Sequence, residues 1–274
     1  MIAMDFKELQ DAAVTAAQSA GDAIVSELLS DSRTDYIRKQ ENDFVTEVDR
    51  EAEKLILAVL NERFPDIPVL AEESGSSGAS HPYRWIIDPL DGTTNFIHGY
   101  PWVAVSIALE ECQAGKPFGD PVLGVVLNPV SRDLFTAYQG HGAFLNGKPL
   151  RVSPVERLGD SLIATGFPLP ERDLLDEFLG VFKEIFRRSH GIRRAGSAAL
   201  DFAWIAAGAI DGFWEFGLSP WDMAAGAVLI REAGGVVTDV QGGDHWLESA
   251  NVVAGTPGVH REILEVIQKI RSGQ

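Results

Sequence analysis

The sequence predicts an α/β (α+β) chain whose helices and sheets alternate in layers. Two observations carry this. Apolar residues recur at three- and four-residue steps, the period of one helix face, over residues 5–30, 48–63, 172–188 and 259–270. Between these segments lie short apolar, β-branched runs punctuated by Gly, Pro, Asn and Asp, the pattern of strands joined by tight turns. Helices and sheets bury their apolar faces against other elements, so this order stacks into layers. At 274 residues the chain is long enough for one large domain or two moderate ones. A change of pattern near Ser153-Pro154 divides it into halves of 1–150 and 151–274.

Composition narrows the function. Forty acidic residues against 23 basic give a net charge of −17, the wrong sign for a broad nucleic-acid-binding surface. No apolar run approaches a membrane span, and no basic-then-apolar leader opens the chain. The single Cys112 excludes an intrachain disulfide and a cysteine-based metal site, so a cytoplasmic location is expected.

The first helix places Phe6, Leu9, Ala13, Ala16, Ala20, Ile24 and Leu28 on one face, with Asp5 and Glu8 spaced as a capping box. Residues 30–42 are polar and read as an exposed loop or hairpin that carries Lys39. Thr46 suits the N-cap of a second helix, with Asp49 in its first turn, where the helix dipole favours an acid whatever its job. Residues 67–70 form a short strand that ends in Ala71-Glu72-Glu73-Ser74-Gly75, and 74–82 read as a loop.

Residues 84–87 are apolar enough for a buried strand. Asp88-Pro89 is expected to stop it, Asp91-Gly92 to turn, and Thr93 or Thr94 to cap a short helix. Two carboxylates then sit at the carboxyl end of a strand beside outward-facing N–H groups. That setting suits Mg²⁺ shared with a phosphate, although an Asp-rich surface turn explains the pair alone.

Residues 103–109, 122–127, 134–138 and a piece around Phe144 continue as antiparallel strands, with His98 and His141 in turns that lack metal-ligand spacing. After a strand at 161–165 and the stiff loop 166–170 comes an amphipathic helix at 172–188, then a short basic stretch at 190–194. Gly196-Ser197-Ala198 opens a small-residue helix, whose start suits an anionic or polyol ligand as well as simple capping. A strand at 213–216 precedes an Ala-rich helix with Asp222 in its first turn; strands at 236–240 and 251–254 and a closing helix complete the chain. Carboxylates thus stand at four element ends: Asp49, Glu72, the Asp88/Asp91 pair and Asp222. With His and Cys scarce, they favour an all-oxygen site for Mg²⁺ or Mn²⁺ over zinc.

Trp-Ile-Ile-Asp-Pro-Leu-Asp-Gly-Thr-Thr-Asn-Phe at 85–96 and Pro-Trp-Asp-Met-Ala-Ala-Gly-Ala at 220–227 resemble the two signature motifs of the inositol monophosphatase family. Glu-Glu-Ser at 72–74 and Asp-Phe-Val-Thr-Glu-Val-Asp at 43–49 are similar to its other two blocks, and 192–201 with 211–215 look most like its bacterial branch. The resemblance covers essentially the whole chain. It implies a layered αβαβα sandwich. It also implies two to three Mg²⁺ ions, with Mn²⁺ as a possible substitute, held by Glu72, Asp88, Asp91, Asp222 and the carbonyl of Leu90. Asp49 and Thr93 would form a dyad that helps Glu72 orient and deprotonate a water. Gly92 and Thr93 would hold the phosphate, and Arg193, Gly196, Ser197, Ala198 and Glu215 the polyol hydroxyls. Lys39 matches the family's early lysine only approximately.

The activity implied is Mg²⁺-dependent hydrolysis of a small polyol phosphate, inositol 1-phosphate first, which needs no Ser, Cys or His nucleophile. Fructose-1,6-bisphosphatase, histidinol-phosphatase and 3′-phosphoadenosine 5′-phosphate phosphatase activities share the fold. Glu215 favours hydroxyl groups over a second phosphate. The resemblance also implies a homodimer, and one bacterial member associates with RNA polymerase, so the Arg187-Arg188 and Arg193-Arg194 cluster stands as an alternative partner surface.

Overall fold

The computed structural model describes residues 5–29, 36–40, 43–168 and 172–273. The side chains of 36–46, Lys39 and the expected Thr46 cap among them, lie outside this description. Helices α1 (Phe6–Leu28) and α2 (Glu47–Arg63) follow their predicted periodicity, and Asp5 caps α1 by accepting from the Lys7 N–H at 2.9 Å. The polar stretch between them carries a hairpin, β1 (Tyr36–Gln40) with β2 (Asp43–Thr46).

An eight-stranded sheet contains β3 (Val69–Ala71), β4 (Gly75–Ser77), β5 (Tyr83–Asp91), β6 (Ala104–Glu111), β7 (Asp120–Asn128), β8 (Asp133–Tyr138), β9 (Gly142–Leu145) and β10 (Lys148–Pro149). Its order is β10-β9-β8-β7-β6-β5-β3-β4, with α3 (Thr93–Ile97) just beyond β5. A five-stranded sheet contains β11 (Leu162–Thr165), β12 (Gly191–Arg193), β13 (Gly212–Phe216), β14 (Val236–Thr238) and β15 (Asn251–Gly255), in the order β12-β11-β13-β15-β14. Helices α4 (Leu175–Arg188), α5 (Ala198–Ala206), α6 (Pro220–Glu232), α7 (Trp246–Ser249) and α8 (Pro257–Arg271) complete it.

Three apolar clusters bind these elements into five layers. One joins α1 and α2 to the large sheet through Trp85, Ile87, Val105 and Ile107. The second fills the space between the two sheets, where α5 and α6 lie against Ile86, Ala104, Ala108, Val126 and Phe213. The third seats α4 and α8 on the outer face of the small sheet through Phe178, Trp214 and Val253. The αβαβα sandwich follows. Strand β6 reads as a continuous apolar run because helices cover both faces of its sheet. Its residues alternate between clusters, Val105 and Ile107 to one and Ala104 and Ala108 to the other.

Three local expectations are corrected. Pro89 does not end β5, which runs on to Asp91 through a bulge: Asp88 pairs with Ser106 and Asp91 with Ala104. A proline is tolerated there because the ladder is already interrupted. Neither Thr93 nor Thr94 caps α3; the N-cap is Gly92 at φ 94°, a conformation that needs no Cβ. Residues 75–77 form an edge strand within the expected loop, and 191–193 form another in the basic stretch.

Candidate active site

The bulge in β5 does the first work of the site. Alternation along the strand turns Asp88 to the same face as Ile86, toward α5 and α6. The extra residue re-aims the chain, so Asp91 also reaches that side. Asp88 Oδ1 accepts the Leu90 N–H at 3.0 Å, which satisfies a backbone donor freed by the bulge. Glu72 follows β3, which runs parallel to β5 with Ala71 opposite Ile87, and its N–H bonds the Ile87 carbonyl at 3.1 Å. That register sets Glu72 beside Asp88.

Asp222 arrives from the second half of the chain. Ser106, the cross-strand partner of Asp88, donates its hydroxyl to the Trp221 carbonyl at 3.1 Å and so anchors the first turn of α6 over the strand. The Ser219 N–H bonds Asp222 Oδ2 at 2.7 Å. Gly124 lets α6 lie close: a Cβ there would fall 2.3 Å from the Ala225 carbonyl oxygen. Carboxylate oxygens of Asp88, Asp91 and Asp222 consequently lie within 4.8 Å of one another.

Around this triad the structure brings together most of the other sequence-predicted residues. Thr93 Oγ1 donates to Asp49 Oδ1 at 3.0 Å, across from α2. Ser197, at the N-cap of α5, donates its hydroxyl to Asp91 Oδ2 at 2.6 Å, and the Ala199 N–H adds a bond at 2.8 Å. Glu215 on β13 lies close enough to Asp222 for their charges to interact. Arg193 is turned aside, with its guanidinium on the carbonyl of Ile192 at 3.2 Å.

Burial and mutual repulsion set the electrostatics. Burial pushes Asp88 well above the ordinary carboxylate range, and the charges of Glu72, Asp91 and Asp222 push it further. Asp222 is raised well above it by burial and by Asp91 and Glu72. Burial lifts Asp91 to about 6 even though Ser197, Ala199 and Arg194 favour its anion. Glu215 is raised by burial, then by Asp222 and Asp201. A set of buried and half-buried oxygen donors that resist charging together is the donor chemistry of a hard divalent cation, so Mg²⁺ fits these residues.

Three contributors were not singled out by sequence reasoning, and a fourth, Arg194, was read there only as part of the basic stretch. Asn95 Nδ2 donates to the carbonyls of Trp102 at 2.8 Å and Ala195 at 2.9 Å, tying the turn after β5 to the approach of α5. Glu53, one helical turn after Asp49, holds the Glu73 N–H at 2.9 Å and steadies the turn that carries Glu72. Asp201 is buried, its carboxyl raised well above the ordinary range by burial and Asp91. Arg194 is the guanidinium whose charge reaches Asp91, Asp201 and Glu215, and it lies 5.1 Å over the Phe167 ring. The helical step from Asp49 to Glu53 and the placing of Asn95 inside the 85–96 motif were the available signals.

The layered fold and the cluster of acids around Asp88 define a metal-dependent phosphomonoesterase. A model of the inositol monophosphatase family matches residues 5–272, and the chain belongs to that family. It is 47% identical to the Nus factor SuhB of Pseudomonas aeruginosa over 93% of this chain and 94% of that one. The extragenic suppressor protein SuhB of Bartonella henselae superposes with a TM-score of 0.89 at 42% identity, covering 96% of this chain and 99% of that one. An inositol monophosphatase from Anabaena superposes at 0.86 with 35% identity over 97% of both. No helix among the described residues is long and apolar enough to cross a membrane.

Proposed function

We propose that the chain hydrolyses inositol 1-phosphate to inositol and phosphate. One observation carries the substrate: Glu215, a half-buried carboxylate, stands beside the acid cluster. A carboxylate accepts hydrogen bonds from hydroxyl groups and repels a second phosphate. The ligand is then a phosphorylated polyol, in preference to fructose 1,6-bisphosphate or 3′-phosphoadenosine 5′-phosphate; histidinol phosphate offers Glu215 fewer hydroxyls. The likeness to the Anabaena enzyme, an inositol monophosphatase by name, supports the same reading.

Glu72, Asp88, Asp91, Asp222 and the Leu90 carbonyl would hold the Mg²⁺, two to three ions in all, with Mn²⁺ as a substitute. When bound, the ions neutralise phosphoryl charge and make a water more acidic. The remaining work falls to side chains. Thr93 has given its hydroxyl proton to the hydrogen bond with Asp49, so its free lone pair can accept from a water and aim the water's oxygen. Glu72 takes the proton. Gly92, at positive φ and packed so that a Cβ would lie 3.0 Å from the Trp102 carbonyl oxygen, holds a turn only glycine fits, and the backbone of Gly92 and Thr93 would hold the phosphate. Gly196, Ser197 and Ala198 would line the polyol side, and Arg193, turned here onto the Ile192 carbonyl, would join them only by swinging inward; the Ser197 bond to Asp91 makes positioning of that ligand part of its role.

A second reading is favoured by the name of the Pseudomonas relative, a Nus factor: an association with RNA polymerase, for which exposed Arg187, Arg188 and Arg193 offer a surface. We also infer a homodimer and a cytoplasmic location. The test is phosphate release from inositol 1-phosphate, fructose 1,6-bisphosphate, histidinol phosphate and 3′-phosphoadenosine 5′-phosphate, each with Mg²⁺ and with chelator. Preference for the inositol ester that chelation abolishes is expected. Preference for a bisphosphate would overturn the role of Glu215, and activity that survives chelation would overturn the metal.

A further inference from the structure

A cavity of about 390 Å³ opens at the C-terminal end of α6, nine residues and roughly 13 Å along the helix from Asp222. Its volume falls within the range of small-ligand sites, roughly 300–1,000 Å³. The β6–β7 loop forms one wall and the approach to α7 the other, and both are pinned from behind. On the first, buried Glu110 pairs with Arg84 and accepts the Gly119 N–H at 2.9 Å. Arg84 also donates to the Pro117 carbonyl at 3.0 Å and lies 5.4 Å from the Phe118 ring centre. On the second, buried Asp239 accepts the N–H groups of Gly243 at 2.9 Å and His245 at 3.3 Å. The cavity is thus built into the fold, apart from the acid cluster.

Phe118, Trp246 and Leu247 give it an apolar floor. Arg231, in the last turn of α6, is half-buried with its guanidinium 5.3 Å over the Trp246 ring. Stacking orients the guanidinium plane but satisfies none of its N–H donors. No hydrogen bond or ion pair fills them among the described residues. Asp244 and Asp120 are near enough for their charges to act on Arg231, yet neither forms an ion pair with it. Asp120 accepts from the Gln113 amide and Glu248 faces His245 at 3.6 Å, so Asp244 is the acid here that has no donor among the described residues. A phosphate would suit Arg231 and the rim Lys116 but would meet all three acids. A guanidinium and a carboxylate that attract without touching, above apolar surface, match a small molecule that carries both charges and an apolar group.

We propose that this cavity binds a free α-amino acid with an apolar side chain, its carboxylate on the Arg231 guanidinium, its ammonium toward Asp244 and its side chain against Phe118 and Leu247. The test is titration calorimetry of the full chain, in chelator, with L-leucine and L-phenylalanine, their N-acetyl and methyl ester derivatives, and inorganic phosphate. Circular dichroism melts are the folding control. One site per chain is expected for the amino acids, with each derivative, which lacks one of the two charges, bound about tenfold or more weakly. R231M keeps an apolar chain over Trp246, and D244N alters an exposed side chain that the fold does not need. Each is expected to raise the amino-acid Kd about tenfold or more and to leave Mg²⁺-dependent phosphate release unchanged. D244N is expected to leave the affinity of the N-acetyl derivative as it was, because that compound has no ammonium to lose. Should R231M misfold, D244N with the two derivatives decides the matter alone. No binding of either amino acid at millimolar concentration, or a Kd that D244N does not move, would overturn the site. Phosphate bound as tightly as the amino acids, and lost in R231M, would overturn the amino acid as its ligand.

Discussion

At the scale of residues, the site is a group of acids that the apo fold tolerates poorly. Asp88 is buried and held well above its usual pKa by burial and its neighbours. D88N removes that conflict and keeps the side chain's shape. It is expected to cost about 10³-fold or more in kcat/KM while the metal-free protein melts at the same temperature or higher, a divergence that calorimetry and phosphate release read together. A partner-binding role would survive the same substitution. T93V, which breaks the bond to Asp49, is expected to lower kcat about 10²-fold with KM little changed, as loss of a water-orienting group should. Asp91 is pushed up to about 6, so Mg²⁺ must displace a proton below that pH. Affinity is expected to fall as pH drops through 6, with proton release visible by titration calorimetry in buffers of different ionisation heat. The acids themselves were legible in the sequence; their partners were not. Thr93 and Asp49 lie on separate elements, and Asn95, Glu53 and Asp201 acquire meaning only from what they touch.

At the scale of elements, apolar periodicity located the helices because each lays one continuous face on a sheet. It failed where local chemistry competes with tertiary context. Pro89 reads as a strand terminator, yet a bulge absorbs it; the 75–77 edge strand is too polar to show itself. Close approach of α6 to β7 rests on Gly124. G124A is expected to cost about 1–3 kcal/mol of stability and to weaken Mg²⁺ binding, because α6 must shift and carry Asp222 with it. A second element-level device ties α8 to the small sheet. His260 lies 2.8 Å from Thr238 Oγ1, and burial lowers its pKa to about 4. Between that value and the ordinary 6.5 the unfolded chain takes up a proton that the folded chain refuses. Stability is therefore lost as pH falls through this window, by about 3 kcal/mol at most. Urea unfolding at the two ends should show it for the wild type and much less for H260Q.

At the scale of the whole molecule, an excess of negative charge coexists with a phosphate substrate because the bound cations reverse the local sign. Mg²⁺ is thus expected to raise the melting temperature and chelator to lower it, by about 2.7 kcal/mol of stabilisation at a hundredfold excess over Kd. The helix α6 that brings Asp222 also roofs the inner face of the large sheet, where Ile86, Ala104, Val126 and Phe135 are buried. All eight strands of that sheet are complete by Pro149, whereas α6 begins only at Pro220. During synthesis at about 5–20 residues per second, the emerging chain spends several seconds with a greasy sheet surface bare to the cell. The newborn protein is a natural client for a chaperone in that interval, and a ribosome that stalls in it releases an inert, sticky fragment.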